Sequence, residues 1–201
     1  PADVFKICSN FGVVKGEKAD DMLKQQKIVQ KHKTTNIAIV TDSGADIPED
    51  IDLDIHVVPV RYNFGEIGYI DKLSQTSEEF YNELTNNPIH PQTSQPTPGD
   101  FRRQYQYLKS HYDSIISIHI PQQMSGTYQS AMSASKRVDS TKITVIDGLS
   151  ASVGLGLIVM EMAKLAKDGK SKEGIEKALF KIISSTNVFI IVKDLSYAVK
   201  G

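Results

Sequence analysis

Ser94 in "PQTSQPTP", Ser125 in "PQQMSGT" and Ser43 in "TDSG" are the residues whose types and settings offer chemistry. The chemistry is narrow, because "PQTSQPTP" contains no acid, base or metal ligand beside its hydroxyls. With the hydroxyls of Thr93 and Thr127, and backbone amides at helix starts such as Gly126, they make a set of neutral donors. Hydroxyls and helix N-termini hold a small anionic group without a buried positive charge. A carboxylate fits such a set, whereas phosphate more often recruits Arg or Lys. Singly, each of these residues also reads as a turn or cap residue.

Other site chemistries find little support. A catalytic serine needs a base within reach, usually a histidine held by a carboxylate. Around Ser125 the nucleophile elbow GxSxG is absent, since Gln123 stands at the first glycine. His119 lies six residues upstream, alternating with Ile118 and Ile120, and reads as a half-buried strand histidine with a hydrogen-bond partner. His32, His56, His90 and His111 are scattered and form no HExxH spacing. A serine hydrolase using Ser125 stays open as the alternative reading, but no catalytic residue is assigned. No Walker loop or GxGxxG follows a strand, and the glycines of "GLSASVGLG" suit close packing of a buried helix on a sheet. Cys8 is the single cysteine, which excludes an internal disulfide and a cysteine-cluster metal site and favours the cytoplasm.

These donors must be positioned by the rest of the chain. Its 201 residues are 40% hydrophobic and 23% charged, the composition of a folded globular protein. A formal charge of -1 supplies no field toward nucleic acid or anionic membrane. The longest apolar-leaning run, Leu149 to Met160, is too short for a membrane span and reads as a buried helix. Residues 1–35 carry seven lysines against four acids and the remainder is net acidic, which marks a boundary near Thr34 and Thr35. Before it, "PADVFKICSNFG" has helical spacing, and the charged run that follows reads as a solvated helix or linker.

After it, β-rich runs at 37–40, 55–62, 115–120, 143–147 and 188–192 alternate with helical segments. Near-continuous apolar strands alternating with helices predict an α/β fold, a mainly parallel sheet sandwiched between helices. Ligands of such sheets bind beyond the carboxyl ends of the strands. Hydroxyls dominate there, and Asp42 and Asp147 are the only acids near the first four strand ends. Thr97 with Asp100 forms an acidic capping box, with Pro98 in the first turn, so the proline-rich loop ends by launching a helix.

"NIAIVTDSGADIP", "IHVVPVRYNFG", "YIDKLSQTSEEFYNEL", "PQTSQPTPGDFRRQYQYL", "IISIHIPQQMSGTYQSA", "VIDGLSASVGLG" and "LSYAVKG" follow one another in the order and spacing of the DegV family. The chain resembles those bacterial fatty-acid-binding proteins from Asn36 to Gly201. The resemblance implies a carboxylate held by the Ser94 hydroxyl, with Thr76 and Ser125 as partners. It implies a DegV N-terminal subdomain at 36–201, with the C-terminal subdomain truncated where "VKG" begins the family's "KKGGRI". Members of this kind are similar to the acyl-carrying subunit of bacterial fatty acid kinase, which presents the carboxyl to a kinase domain, in cis or in trans, for conversion to an acyl phosphate. Residues 1–33 resemble the end of the central domain of the kinase subunit, so the expected parent is a fusion with a dihydroxyacetone-kinase-like domain. A long-chain fatty acid is the expected ligand, with no cofactor or metal, no nucleic-acid partner and no stable membrane insertion. A lipid-responsive regulatory module is the other alternative. One departure from the family stands at Asp71-Lys72, where "DG" is usual, so Lys72 must make the turn that glycine makes in relatives.

Overall fold

The computed structural model of the chain describes residues 36–191 together with Ile7, Cys8 and Phe11. The expected boundary at Thr34 and Thr35, and most of the expected N-terminal helix and linker, lie outside the described residues. In chain order the elements are β1 (Ile37–Asp42), β2 (Ile55–Val58), β3 (Arg61–Phe64), β4 (Ile67–Ile70), α1 (Ser77–Asn86), β5 (Gln92–Ser94), α2 (Pro98–Lys109), β6 (Ser114–His119), α3 (Thr127–Val138), β7 (Ile143–Asp147), α4 (Ser152–Lys167) and α5 (Lys172–Ser185). They fall into two compact units, one holding 59–94 and the other 36–58 with 95–189.

The larger unit is the α/β sandwich. Its sheet runs β2-β1-β6-β7, and every pairing in it is parallel. Alternation along β1 sends Ile37 and Ile39 into one core and Ala38 and Val40 into the other. Leu155, Ile158, Met162 and Leu179 of α4 and α5 fill the first, alongside Ile116 and Ile118. Phe101, Tyr105 and Leu108 of α2, with Ala131 and Ala134 of α3, fill the second. Burial of both faces is what made the strands read as continuous apolar runs.

The smaller unit is an antiparallel sheet of order β4-β3-β5, joined by α1. Tyr62, Phe64, Tyr69 and Phe80 form an aromatic cluster here, with Tyr62 and Tyr69 stacked at 5.2 Å. These two short strands, β4 and β5, lack a sequence signal of length or alternation.

Several expectations need correction. The run 55–62 is not one strand: Pro59 has no N–H to continue a ladder, so β2 ends at Val58 and β3 begins a different sheet at Arg61. The run 188–192 is not a strand over its described residues 188–191. β-branched residues make a strand only with a neighbour to pair with. Here Val188 instead sits against the Cα of Gly154 on α4, and Phe189 to Ile191 are exposed. Gly154 and Gly156, expected to let a buried helix pack closely on the sheet, do admit close approach, but not by a strand. Gly154 faces Val188 and Ser150, and Gly156 faces the backbone of Asp46. Lys72 takes φ 60, the left-handed turn that its position demanded.

Candidate functional site

Because its four strands are parallel, the larger unit gathers the carboxyl ends of β1, β6 and β7 on one edge. Both acids of that edge are occupied in holding loops. Asp42 Oδ1 accepts from the Gly44 amide at 2.9 Å, and its Oδ2 accepts from the Ile120 amide at 3.2 Å and from His119 Nδ1 at 2.9 Å. Asp147 accepts from the Leu149 amide at 3.0 Å and the Gln122 amide at 3.3 Å. The turn after β1 is further tied to the start of α4, where the Ser152 amide donates to Gly44 O and the Ser152 hydroxyl donates to Asp46.

From Asp42 a polar line runs inward. His119 Nε2 lies 2.7 Å from Ser117 Oγ, which receives the Tyr105 hydroxyl at 2.7 Å. Burial pushes the Tyr105 phenol well above its usual range, partly offset by the Ser117 hydrogen bond, so it remains a donor. With His119 as the Nδ1–H tautomer, donation runs from Tyr105 to Ser117, from Ser117 to His119 Nε2 and from His119 Nδ1 to Asp42. All four residues are 0% exposed, and the edge of His119 meets the Phe101 ring. Serine, histidine and aspartate thus line up as in a hydrolytic triad, but Ser117 is enclosed away from solvent and its Oγ already accepts from Tyr105. His119 is fully enclosed, not half-buried, and both its nitrogens are taken. It is no base for Ser125.

Among the expected site residues, Ser125, Gly126, Thr127 and Ser43 belong to this larger unit. The Ser125 and Thr127 hydroxyls lie 2.9 Å apart, and the Thr127 amide donates to Ser125 Oγ at 3.2 Å. Gly126 is the N-cap of α3, which has no side-chain cap hydrogen bond. Ser125 and Gly126 are half-buried, Thr127 is buried, and Ser43 is buried in the turn after β1.

Ser94, Thr93 and Thr76 belong to the smaller unit. Gln92–Ser94 of the proline-rich loop form β5, paired with β3 in the register Arg61↔Ser94 and Tyr62↔Thr93. Successive strand residues face opposite ways, so Thr93 shares the Tyr62 face and Ser94 the Arg61 face. The two hydroxyls therefore do not converge on one group. Both are exposed. Thr76 is the N-cap of α1, in a reciprocal capping box with Glu79. Its hydroxyl accepts from the Glu79 amide at 3.2 Å, and its own amide donates to Glu79 Oε2 at 3.0 Å.

Sequence reasoning missed the line from Tyr105 to Asp42. The pattern Ser117-Ile118-His119 carried a signal, since residues two apart on a strand share a face. Nothing local showed that Asp42, 77 positions away, closes the line. Among the described residues, no three His, Cys, Asp or Glu side chains cluster as a metal site, and no helix is long and apolar enough to cross a membrane.

The sequence and the fold are similar to those of known proteins. The family model for uncharacterised proteins of the DegV family matches residues 36–201. A DegV domain-containing protein of Staphylococcus aureus is 37% identical over 169 residues, covering 83% of this chain and 60% of that protein. The crystal structure of DegV from Bacillus subtilis, described as a fatty acid binding protein, is similar at TM-score 0.71 and 34% identity, covering 75% of this chain and 54% of that one. A Thermus thermophilus DegV family protein, described for its fatty acid binding, is similar at TM-score 0.69 and 34% identity, over 74% and 54% of the two chains. The chain spans about 60% of the length of the curated relatives it matches. On the match across 36–201, the chain belongs to the DegV family.

Proposed function

We propose that this chain binds a long-chain fatty acid and presents its carboxylate, acting as a carrier with no chemistry of its own. The observation that carries the proposal is the 34% identity, on a shared fold, to the Bacillus subtilis fatty acid binding protein. Strand-end chemistry is in keeping with it. Both oxygens of each acid already accept hydrogen bonds and the histidine is enclosed, which leaves hydroxyls and amides as the groups on offer.

Ser94 and the Ser125–Gly126–Thr127 turn are the proposed donors. Ser43 and Thr93 contribute less, the first being buried and the second facing away from Ser94. Thr76 keeps its hydroxyl in the capping box, so any part it takes is shared with that cap. About 14 methylenes at about 0.8 kcal/mol each contribute on the order of 11 kcal/mol before ordering costs. A hydroxyl-to-carboxylate hydrogen bond contributes about 1.5–3 kcal/mol. Retention then comes from the tail and orientation from the head.

The finer reading concerns the fate of the carboxyl group. A carboxylate oxygen attacks the γ-phosphorus of ATP on a separate kinase domain, in cis or in trans, ADP leaves, and an acyl phosphate forms. Its support is the sequence resemblance to the acyl-carrying subunit, together with the resemblance of residues 1–33 to the end of the kinase subunit's central domain. A single cysteine supports a cytoplasmic setting.

The test is native mass spectrometry of the purified chain, followed by titration with oleate. One fatty acid per chain is expected. A chain that neither co-purifies with fatty acid nor takes up oleate overturns the proposal.

A further inference from the structure

Gly126 has φ -73 and ψ 5, a conformation open to any L-residue, so its backbone does not require glycine. Space does. A Cβ on Gly126 would fall inside the contact envelope of the Oε1, Nε2 and Cδ atoms of Gln95, the three heavy atoms nearest to it. The Gln95 carboxamide therefore occupies the volume that a side chain at 126 would take. Gln95 is exposed, but the residue after it is the buried Pro96, whose ring restricts the Gln95 backbone to extended conformations. An exposed glutamine with its backbone restricted and its tip seated over a glycine is held at both ends.

We propose that Gln95 is a positioning residue for the ligand head group, its carboxamide seated over Gly126 so as to fix the Ser125–Thr127 turn. The inference rests on the fatty-acid reading above, since the turn is one of that reading's two donor sets. Glutamine suits the task because it packs and hydrogen-bonds without placing a negative charge beside a carboxylate. Glutamate would have the same shape and the wrong charge.

The test uses Gln95→Ala, Gly126→Ala, the double variant and Gln95→Glu in the full chain. A methyl at 126 displaces the tip of a flexible side chain, so the single variants produce one and the same lesion. Each is expected to weaken oleate binding about tenfold, and the double variant by about the same factor and not by the product of the two. Gln95→Glu is expected to bind more weakly still, with part of the loss recovered as salt is raised. Wild-type affinity in either single variant, multiplicative losses, or a Gln95→Glu variant indistinguishable from wild type would overturn the inference. If the wild-type chain takes up no oleate, the fatty-acid reading fails by itself. Hydrogen exchange at the Thr127 and Tyr128 amides then decides the seat: equal acceleration in both single variants supports it, and unchanged exchange removes it.

Discussion

The two compact units hold the same kinds of polar side chain in opposite states. In the parallel sheet, Asp42, His119, Ser117 and Tyr105 lie 0% exposed, with donor matched to acceptor along the whole line. In the antiparallel sheet, Thr93 and Ser94 stand exposed on a strand of three residues. A buried polar group left unsatisfied costs far more than a satisfied one contributes. The line therefore behaves as part of the core, whatever its likeness to a triad. An exposed hydroxyl loses little when it trades water for a ligand. Accessibility, and not residue type, separates scaffold from binding group here.

The largest expected effect strikes the buried side of that contrast. Asp42→Ala leaves His119 Nδ1 and the Gly44 and Ile120 amides without their acceptor, and is expected to cost about 3–5 kcal/mol of stability in urea denaturation. A loss near that of a surface substitution would mean that the line is no structural element. Ser94→Ala probes the open side. Stability should stay within about 0.5 kcal/mol of wild type. Oleate affinity should fall by less than the tail's contribution, and transfer of the γ-phosphoryl group of ATP to the carboxylate by an added kinase should fall further. An unchanged transfer rate removes Ser94 from the head-group site.

Thr76 stands between the two cases, since its exposed hydroxyl already serves the capping box. Thr76→Ala is expected to cost about 1 kcal/mol in thermal or chemical unfolding, and Thr76→Ser to restore it. Restored stability with lost oleate binding in the serine variant would give the methyl group a role in the ligand site.

The smallest effect is at Asp139. The Thr141 hydroxyl, followed by the Lys109 ammonium, holds its carboxyl well below the ordinary range. A depressed value stabilises the folded chain above the unfolded value of about 3.9, and the contribution is lost as pH falls through the folded value. The gap in denaturation midpoint between wild type and Asp139→Asn should be present at neutral pH and narrow on acidification. A gap that widens in acid contradicts the assignment.

The strand–helix alternation of the larger unit was legible because two-sided burial leaves a direct mark, as in Ile37 to Val40. The capping box at Thr97 and Asp100 was legible because it is a contact between residues three apart. The smaller sheet was not. Gln92–Ser94 has neither length nor apolar alternation, and becomes a strand through its pairing with β3. At the candidate site the donor types could be read. That Thr93 faces away from Ser94 could not, until the stretch was known to be extended and paired.

The order of elements, the family, the hydroxyl-rich strand ends and the turn forced on Lys72 were set by the sequence itself, through local contacts and periodicities of a few residues. Which side chains are enclosed was decided only in three dimensions. Asp42 meets His119 across 77 positions, and Gln95 meets Gly126 across the whole of α2 and β6. The physical reason is that burial and hydrogen-bond saturation belong to neighbours brought together by packing, and a linear chain does not encode them at any single position.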